Sequence, residues 1–458
     1  MARVLLDGEP VRSLAEFTAR AGGQAFAAAA EAGPAALVDE VTGSGLRGRG
    51  GGGFPTGRKW AGVRDGGPGL RFAVCNAAEG EPGTFKDRAL IRHDPYRVLE
   101  GLAIAALAVG AESAYIATKA SYQREAALLQ QAITELAEDG LLGGLSITLV
   151  LGPDEYLFGE EKALLEVIEG NDPLPRLLPP YEHGLFATDI QTGWQATDSA
   201  GSVRGQPNPT LVNNVETLSH VPGIVRNGAD WFRSMGTPES PGTTVATIVG
   251  DVCRPLVAEL ELGSPLRELI ELAGGALPGR TLRAALSGVA NAVITPDHFD
   301  VPMSYEGLQA IGSGLGSAGF ILYDDSACMV DVARALSRFL YVESCGQCRS
   351  CKFGSGEITR TLDLIGAGEG SEHEIEVIGA RLRSVTDQTR CYLAAEEQAL
   401  VSSMLREFPD EFALHLDGRC SSDPRPIVVP KIVELADGVA TYDDRQARKQ
   451  PDWTYADG

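Results

Sequence analysis

Hydrophobic and polar positions along the chain alternate between helical and strand-like periods. Residues 35–46, AALVDEVTGSGL, repeat apolar positions at helical spacing and stop at a Gly/Ser cluster, so a helix precedes the first glycine-rich stretch. The run VCNAAEGEPGTFKDR, 74–88, opens like the end of a strand and passes into a turn at Pro82-Gly83. In FGEEKALLEVIEG, 158–170, two acids stand at the start of a helix, where the macrodipole favours them. Between 243 and 322, TTVATIVGDV alternates like a strand, a second strand follows, and PLRELIELAGG shows the i, i+3, i+4 pattern of a helix. A glycine-rich turn, GSGLGSAGF, then returns into a strand near Phe320. Beyond Asp324 the pattern is helical, and in the tail Ala436-Asp437-Gly438 marks the centre of a hairpin. We read the tail, whose end mixes Arg, Lys, Trp and Tyr, as a partner-docking arm.

Composition narrows the class. With 458 residues, 44% of them hydrophobic, the chain is too long for one ordinary domain, and two to four are expected. Lys and Arg total 39 against 62 Asp and Glu, a formal charge of −23, which argues against nucleic acid or an anionic membrane as the main partner. The start, MARVLLDGEP, lacks the layout of a signal peptide. The apolar run GLAIAALAVGA is roughly half the ~20 residues a membrane helix needs. These features point to a cytoplasmic protein with no direct membrane insertion, where clustered cysteines more often bind metal than form disulfides.

The eight cysteines divide into two groups. Cys75, Cys253, Cys328 and Cys420 stand alone in the sequence and read as small buried hydrophobes. Cys345, Cys348 and Cys351, in ESCGQCRSCKFG, follow a strict three-residue spacing that lets one segment wrap three thiolates around a common centre. Zinc would accept the same thiolates, yet a CxxCxxC triplet with one remote cysteine is the commoner signature of a 4Fe-4S cluster. Cys391, at the start of an amphipathic helix, is the favoured fourth ligand because free N–H groups at a helix start suit an anionic cluster, and Cys420 is its rival.

A second candidate centre is GSGLRGRGGGGFPTGRKW, 43–60. Its GxGxxG at Gly48, Gly50 and Gly53 follows a helix rather than a strand, which argues against the dinucleotide fingerprint, and the Lys-Ser/Thr of a Walker loop is missing. What remains is a backbone that approaches a phosphate closely, positive charge from Arg47, Arg49 and Lys59, and ring faces at Phe54 and Trp60. Downstream, Asn76, Glu79 and Glu81 share one turn, and their carboxylates suit ribose or carboxamide groups at the other end of a ligand. Glu160 and Glu161 read equally as ligands or as ordinary first-turn acids.

Taken together, GLRGRGGGGFPTGRKW, CNAAEGEPGTFKDR, FGEEKALLEVIEG, PNPTLVNNVETL and ESCGQCRSCKFG resemble, in order and spacing, the NADH-oxidising flavin subunit of respiratory complex I and its relatives, the diaphorase subunits of NAD-dependent formate dehydrogenases and hydrogenases. The resemblance covers residues from about 30 to 415. It implies a multi-domain α/β protein: an FMN- and NADH-binding α/β domain at 1–242, a small β-grasp module at 243–324, a helical bundle carrying a 4Fe-4S cluster at 325–418, and the tail at 419–458. FMN would be held by Gly48, Arg49, Gly50, Gly51, Gly53 and Lys59, completed by Asn76, Asn213, Asn214 and Thr217. NAD(H) would be positioned by Phe54, Glu79, Glu81, Glu160, Glu161 and Tyr181, with Glu81 and Lys59 closest to the chemistry and Phe54 and Tyr181 flanking the adenine. Cys345, Cys348, Cys351 and Cys391 would bind the cluster. The implied activity is NADH:acceptor oxidoreduction, with hydride exchange at flavin, single electrons at the cluster, and transfer to or from a thioredoxin-like 2Fe-2S subunit and a larger iron-sulfur or catalytic subunit; the alternative is a non-catalytic iron-sulfur scaffold or sensor that keeps the fold and has lost hydride transfer. The chain departs from the family pattern at Ala78, Phe158 and Lys162, the last raising the question of NADPH tolerance. It also carries an extra segment, TDIQTGWQATDSAGSVRGQ, expected as a surface loop.

Overall fold

The structure is a computed structural model that describes residues 3–188, 206–387, 390–420 and 425–456. The loop expected for the extra segment falls almost wholly at 189–205, outside the described residues.

The first half of the chain is built on a parallel sheet of β1 (Phe72–Ala77), β2 (Ser113–Lys119), β3 (Ser146–Gly152) and β4 (Thr210–Asn214), in the order β3-β2-β1-β4. The chain moves outward from β1 to β3 and then returns to add β4 on the opposite side of β1, so a topological switch point lies between β1 and β4. Ligands of open parallel sheets bind in the crevice beyond the strand ends at such a point. The register pairs Cys75 with Asn213 and Asn76 with Asn214, which brings the asparagines of two distant motifs to that crevice.

Helices Gln24–Ser44, Pro95–Val109 and Val215–Asn227 form the core behind the sheet. Apolar on nearly every face, Pro95–Val109 is buried along almost its whole length, which accounts for the run GLAIAALAVGA. A Cβ at Gly101 would collide with the Leu218 carbonyl, so the glycine permits the close approach of two helices. Among the described residues no helix is long and apolar enough to cross a membrane.

A second sheet contains β5 (Thr243–Gly250), β6 (Leu256–Glu261), β7 (Leu282–Ser287) and β8 (Gly319–Asp324) in the order β6-β5-β8-β7, with the central pair parallel and both outer pairs antiparallel. With helix Leu266–Leu272 this is the expected β-grasp arrangement, and β8 falls at Phe320 as the pattern indicates. The sequence reading did not anticipate β7, whose LRAALS has no β-branched residue to signal a strand.

The region that follows is helical: Met329–Glu343, Arg349–Gly366, Glu372–Leu382, Leu393–Glu407 and Pro409–Leu416. The tail forms a hairpin of β9 (Ile432–Ala436) and β10 (Val439–Tyr442), turned by Asp437 and Gly438 at φ 51° and 75°, the positive values a tight two-residue hairpin requires. This tail is not a free arm. Lys449 is fully buried with its Nζ 2.9 Å from both Glu343 oxygens, Lys352 Nζ donates to the Pro451 carbonyl at 2.6 Å, and Arg88 donates to the Ile432 carbonyl at 2.8 Å. Lys449, one of the basic residues at the end of the tail, pairs with the chain's own helical region.

Candidate functional site

The glycine-rich loop joins helix Gln24–Ser44 to helix Thr56–Arg64 and closes on itself, with Thr56 N donating to the Leu46 carbonyl at 2.9 Å and Gly48 N to the Phe54 carbonyl at 2.8 Å. The glycines divide by role. Gly53 has φ +58° and a Cβ there would lie 2.5 Å from the Tyr305 ring, whose hydroxyl donates to the Gly48 carbonyl at 2.7 Å. At Gly50 a Cβ would press on Asn214 at 3.1 Å. Gly51 and Gly52 face open space, so the loop offers a stretch of bare backbone whose amides are accessible to an anion.

The loop rests on a buried network of charge. Arg49 is 2% exposed, and its guanidinium donates to the carbonyls of Arg47 at 2.9 Å, Pro241 at 3.1 Å and Thr243 at 3.0 Å. Its backbone N–H is taken by Thr217 Oγ1 at 2.8 Å. Both residues were expected to touch the flavin; here they brace the loop from behind, because a buried guanidinium needs its donors satisfied. Beneath them Lys86 Nζ lies 2.9 Å from Glu216 and 2.7 Å from Asp87, and Asn214 Nδ2 donates to Asp87 at 2.6 Å. Burial pushes the Asp87 carboxyl up to about 6, against the pull of Lys86, while its carboxylate neighbours hold Lys86 above the ordinary lysine range although burial opposes them. The sequence reading missed this network. Its members lie in three of the quoted motifs, Arg49 in the first, Lys86 and Asp87 in the second and Asn214 and Glu216 in the fourth, but nothing in their spacing pairs them.

Around the crevice, Asn213 Oδ1 accepts from Trp60 Nε1 at 2.8 Å, which fixes the indole as a buried anchor rather than an open ring face. Asn214 caps helix Val215–Asn227, accepting from Glu216 N at 2.9 Å. Asn76 Nδ2 donates to the Gly159 carbonyl at 2.7 Å. Lys59, on helix Thr56–Arg64, meets Glu161 Oε2 at 2.5 Å across the mouth, and both side chains remain partly exposed. Phe54 and Tyr181 are about half exposed, at 51% and 52%.

Three carboxylates expected at the ligand also make contacts within the chain. Glu160 is the N-cap of helix Glu161–Ile168, accepting from Lys162 N at 2.9 Å and Ala163 N at 3.0 Å; burial raises its carboxyl to about 7. Glu79 accepts from Asp87 N and Arg88 Nε, both at 3.0 Å, and ties down helix Lys86–His93. Glu81 accepts from Tyr156 OH at 2.5 Å and Val289 N at 2.6 Å, so it joins the first sheet to the β-grasp module. Each is a carboxylate in a turn where nearby N–H or O–H donors compete for it. The departures also resolve: Phe158 and Ala78 are buried together, and Lys162 Nζ lies 4.0 Å from Glu160.

Cys345, Cys348, Cys351 and Cys391 line one cavity together with Leu157, Ser344, Arg390, Leu393 and Ala394. Cys348 is the N-cap of helix Arg349–Gly366, Cys351 lies in its first turn, and Cys391 stands two residues before helix Leu393–Glu407. Burial raises the Cys351 thiol to about 11 and the Cys391 thiol to about 12. Among the described residues, the one group of three Cys, His or carboxylate ligand atoms within 4.8 Å of one another is Cys328, His415 and Cys420. The four cavity cysteines, a CxxCxxC triplet with one remote thiol, make up the donor set that a 4Fe-4S cluster takes. Cys420 is thereby separated from the triplet, and Cys328 and Cys420 are a pair rather than solitary residues. Cys75 is buried as expected; Cys253 and Cys420 are exposed, contrary to the reading as buried hydrophobes.

The fold and these two centres define a flavin- and iron-sulfur-binding component of an oxidoreductase, and comparison with known proteins supports that class. Residues 41–223 match the Nuo51 FMN-binding domain, 245–287 the SLBB domain, and 331–415 the NADH-ubiquinone oxidoreductase-F iron-sulfur binding region. The chain is 39% identical over 398 residues to the second NADH-quinone oxidoreductase F subunit of Rhizobium meliloti, covering 84% of this chain and 90% of that protein. It is 36% identical over 420 residues to the NADH-quinone oxidoreductase F subunit of Mycobacterium tuberculosis, with coverage of 88% and 90%. The crystal structure of an NAD+-reducing [NiFe]-hydrogenase in the H2-reduced state superposes with a TM-score of 0.74 at 30% identity over 92% of this chain, which spans 66% of the hydrogenase chain. The chain belongs to the F-subunit family of the NADH-quinone oxidoreductases.

Proposed function

We propose that the chain is the NAD(H)-facing electron-transfer subunit of a multi-subunit cytoplasmic oxidoreductase, with FMN in the crevice under the glycine loop and a 4Fe-4S cluster on Cys345, Cys348, Cys351 and Cys391. When bound, the flavin exchanges a hydride with the nicotinamide and trades single electrons with the cluster. The bare amides at Gly51 and Gly52 take the phosphate, with Gly48, Gly50 and Gly53 shaping the loop and Arg49 holding it rigid. Asn76, Asn213 and Asn214 border the flavin ring at the strand ends. Lys59 and Glu161 stand at the entrance, where the Lys59 ammonium meets the ligand's negative charge and Glu161 receives ribose hydroxyls. Phe54 and Tyr181 offer the exposed ring faces for the adenine. Glu161 near the ribose favours NADH over NADPH, because a 2′-phosphate would face a carboxylate while Lys162 stays with Glu160.

The observation that carries this reading is the segment Tyr156–Glu161. Leu157 lines the thiol cavity, Gly159 accepts from Asn76, and Glu161 pairs with Lys59. Four residues span at most about 14 Å even when fully extended. One short stretch thus touches both centres, and an electron has little distance to cover between them.

Electrons leave or enter through partner subunits, and a thioredoxin-like 2Fe-2S subunit and a larger iron-sulfur subunit are the proposed ones. The curated relatives are named as NADH-quinone oxidoreductases and the solved one as an NAD+-reducing enzyme, so either direction of flow is compatible with this site. An anaerobic NADH titration, read by visible absorbance and low-temperature EPR, tests the proposal. Flavin bleaching with the appearance of a cluster signal is expected; a bound flavin that stays oxidised under excess NADH refutes it.

A further inference from the structure

We propose that Cys328, His415 and Cys420 form a second metal site, separate from the cluster, that takes a zinc ion and fastens the start of the C-terminal tail. The three ligand atoms lie within 4.8 Å of one another. Cys328 Sγ and His415 Nε2 are 3.2 Å apart, and both residues are buried with only 4% of their surface exposed. In a tetrahedral zinc shell a sulfur and a nitrogen ligand stand about 3.6 Å apart, so a few tenths of an ångström of side-chain movement completes the geometry. Two thiolates and an imidazole form a donor set of the softness zinc prefers, and the exposure of Cys420 leaves the fourth position to water.

The ligands' origins give the site its purpose. Cys328 lies in the link between β8 and helix Met329–Glu343, as that helix's N-cap. His415 is in the last turn of helix Pro409–Leu416, and Cys420 begins the segment that leads to the tail. Already these pieces converge: Glu411, one turn before His415, accepts from Met329 N at 3.1 Å and pairs with Arg283 of β7. An ion held there pins the β-grasp module, the end of the helical region and the root of the tail to one point. It moves no electrons; a zinc ion is redox-inert, and its role is to hold structure.

The test measures metals in the intact, cluster-loaded chain purified from cells grown with zinc. Elemental analysis should give about one zinc per chain beside the iron, and zinc K-edge absorption should show two sulfur neighbours and one imidazole nitrogen. Cys420→Ser, at an exposed position where folding is not at stake, and His415→Gln should each lose the zinc and keep the iron. Cys391→Ser should do the reverse. Absence of stoichiometric zinc from the wild-type chain overturns the proposal. So does zinc that survives Cys420→Ser but disappears with Cys391→Ser, since the ion would then be occupying the cluster cavity.

Discussion

Glu216→Gln is the sharpest test of how the glycine loop is held. Glu216 is fully buried; one oxygen accepts from Val245 N at 2.9 Å and Thr244 Oγ1 at 3.0 Å, while the other faces Lys86 Nζ at 2.9 Å, and Arg49 Nε lies 3.7 Å away. The surrounding network balances three cations, Arg49, Lys86 and Arg88, against three anions, Glu79, Asp87 and Glu216. Replacing the carboxylate by its amide keeps the volume and the acceptor for Val245 but leaves one buried cation in excess. Removing one partner from such a pair costs about 3–5 kcal/mol, against about 0–1 kcal/mol for an exposed pair. Because Arg49 also fixes the loop, the loss should reach the flavin. Guanidinium unfolding followed by tryptophan emission, which includes the buried Trp60, measures the first; the flavin-to-protein absorbance ratio measures the second. A loss under about 1 kcal/mol with full flavin content would refute the claim that this buried charge supports the loop.

Gly52→Val should leave the melting temperature close to wild type, since a Cβ there has no neighbour within 4 Å, yet reduce bound FMN; unchanged flavin content would place the phosphate elsewhere. Cys348→Ser should abolish the broad brown absorbance while flavin remains, and full iron retention would remove Cys348 from the ligand set. Glu397 accepts from Ser337 Oγ at 2.6 Å, its second oxygen has no partner among the described residues, and burial raises it to about 8. Its folded-state value exceeds the unfolded one near 4.3, so the folded chain holds a proton the unfolded chain has released. Stability then falls as pH rises from about 4.3 to 8, by up to about 1.4 kcal/mol per unit, and Glu397→Gln should flatten that slope in melts across the range. Lys449→Met leaves Glu343 buried without its cation and should cost about 3–5 kcal/mol, read as faster proteolysis of the tail; tail protection equal to wild type would show that the ion pair does not anchor it.

Much of the molecule was legible in the chain because the signals were local. The CxxCxxC spacing, the glycine run between two helical patterns, the alternation before Gly250 and the Asp437-Gly438 turn each constrain a handful of neighbouring residues, and backbone preferences act over that range. The roles of Glu79, Glu160 and Arg49 were not legible. Each is a charged residue inside a functional-looking motif, and only the packing shows that a helix N-terminus or a row of carbonyls claims it first. Tyr305 gave no signal at all, standing alone in the sequence and yet closing over Gly53 from the β-grasp module.

By itself, then, the sequence determined which chemistry the chain can carry: four thiols for a cluster and a bare-backbone loop for an anion, both set by residue type and spacing. Tertiary structure alone decided which charged groups serve that chemistry. A buried charge must find a partner wherever the fold brings one, and partners such as Glu216 and Lys86, or Glu343 and Lys449, lie more than a hundred residues apart in the chain. It decided as well that Cys328, His415 and Cys420 meet, because no spacing rule links a strand–helix junction to a helix end and the root of a tail.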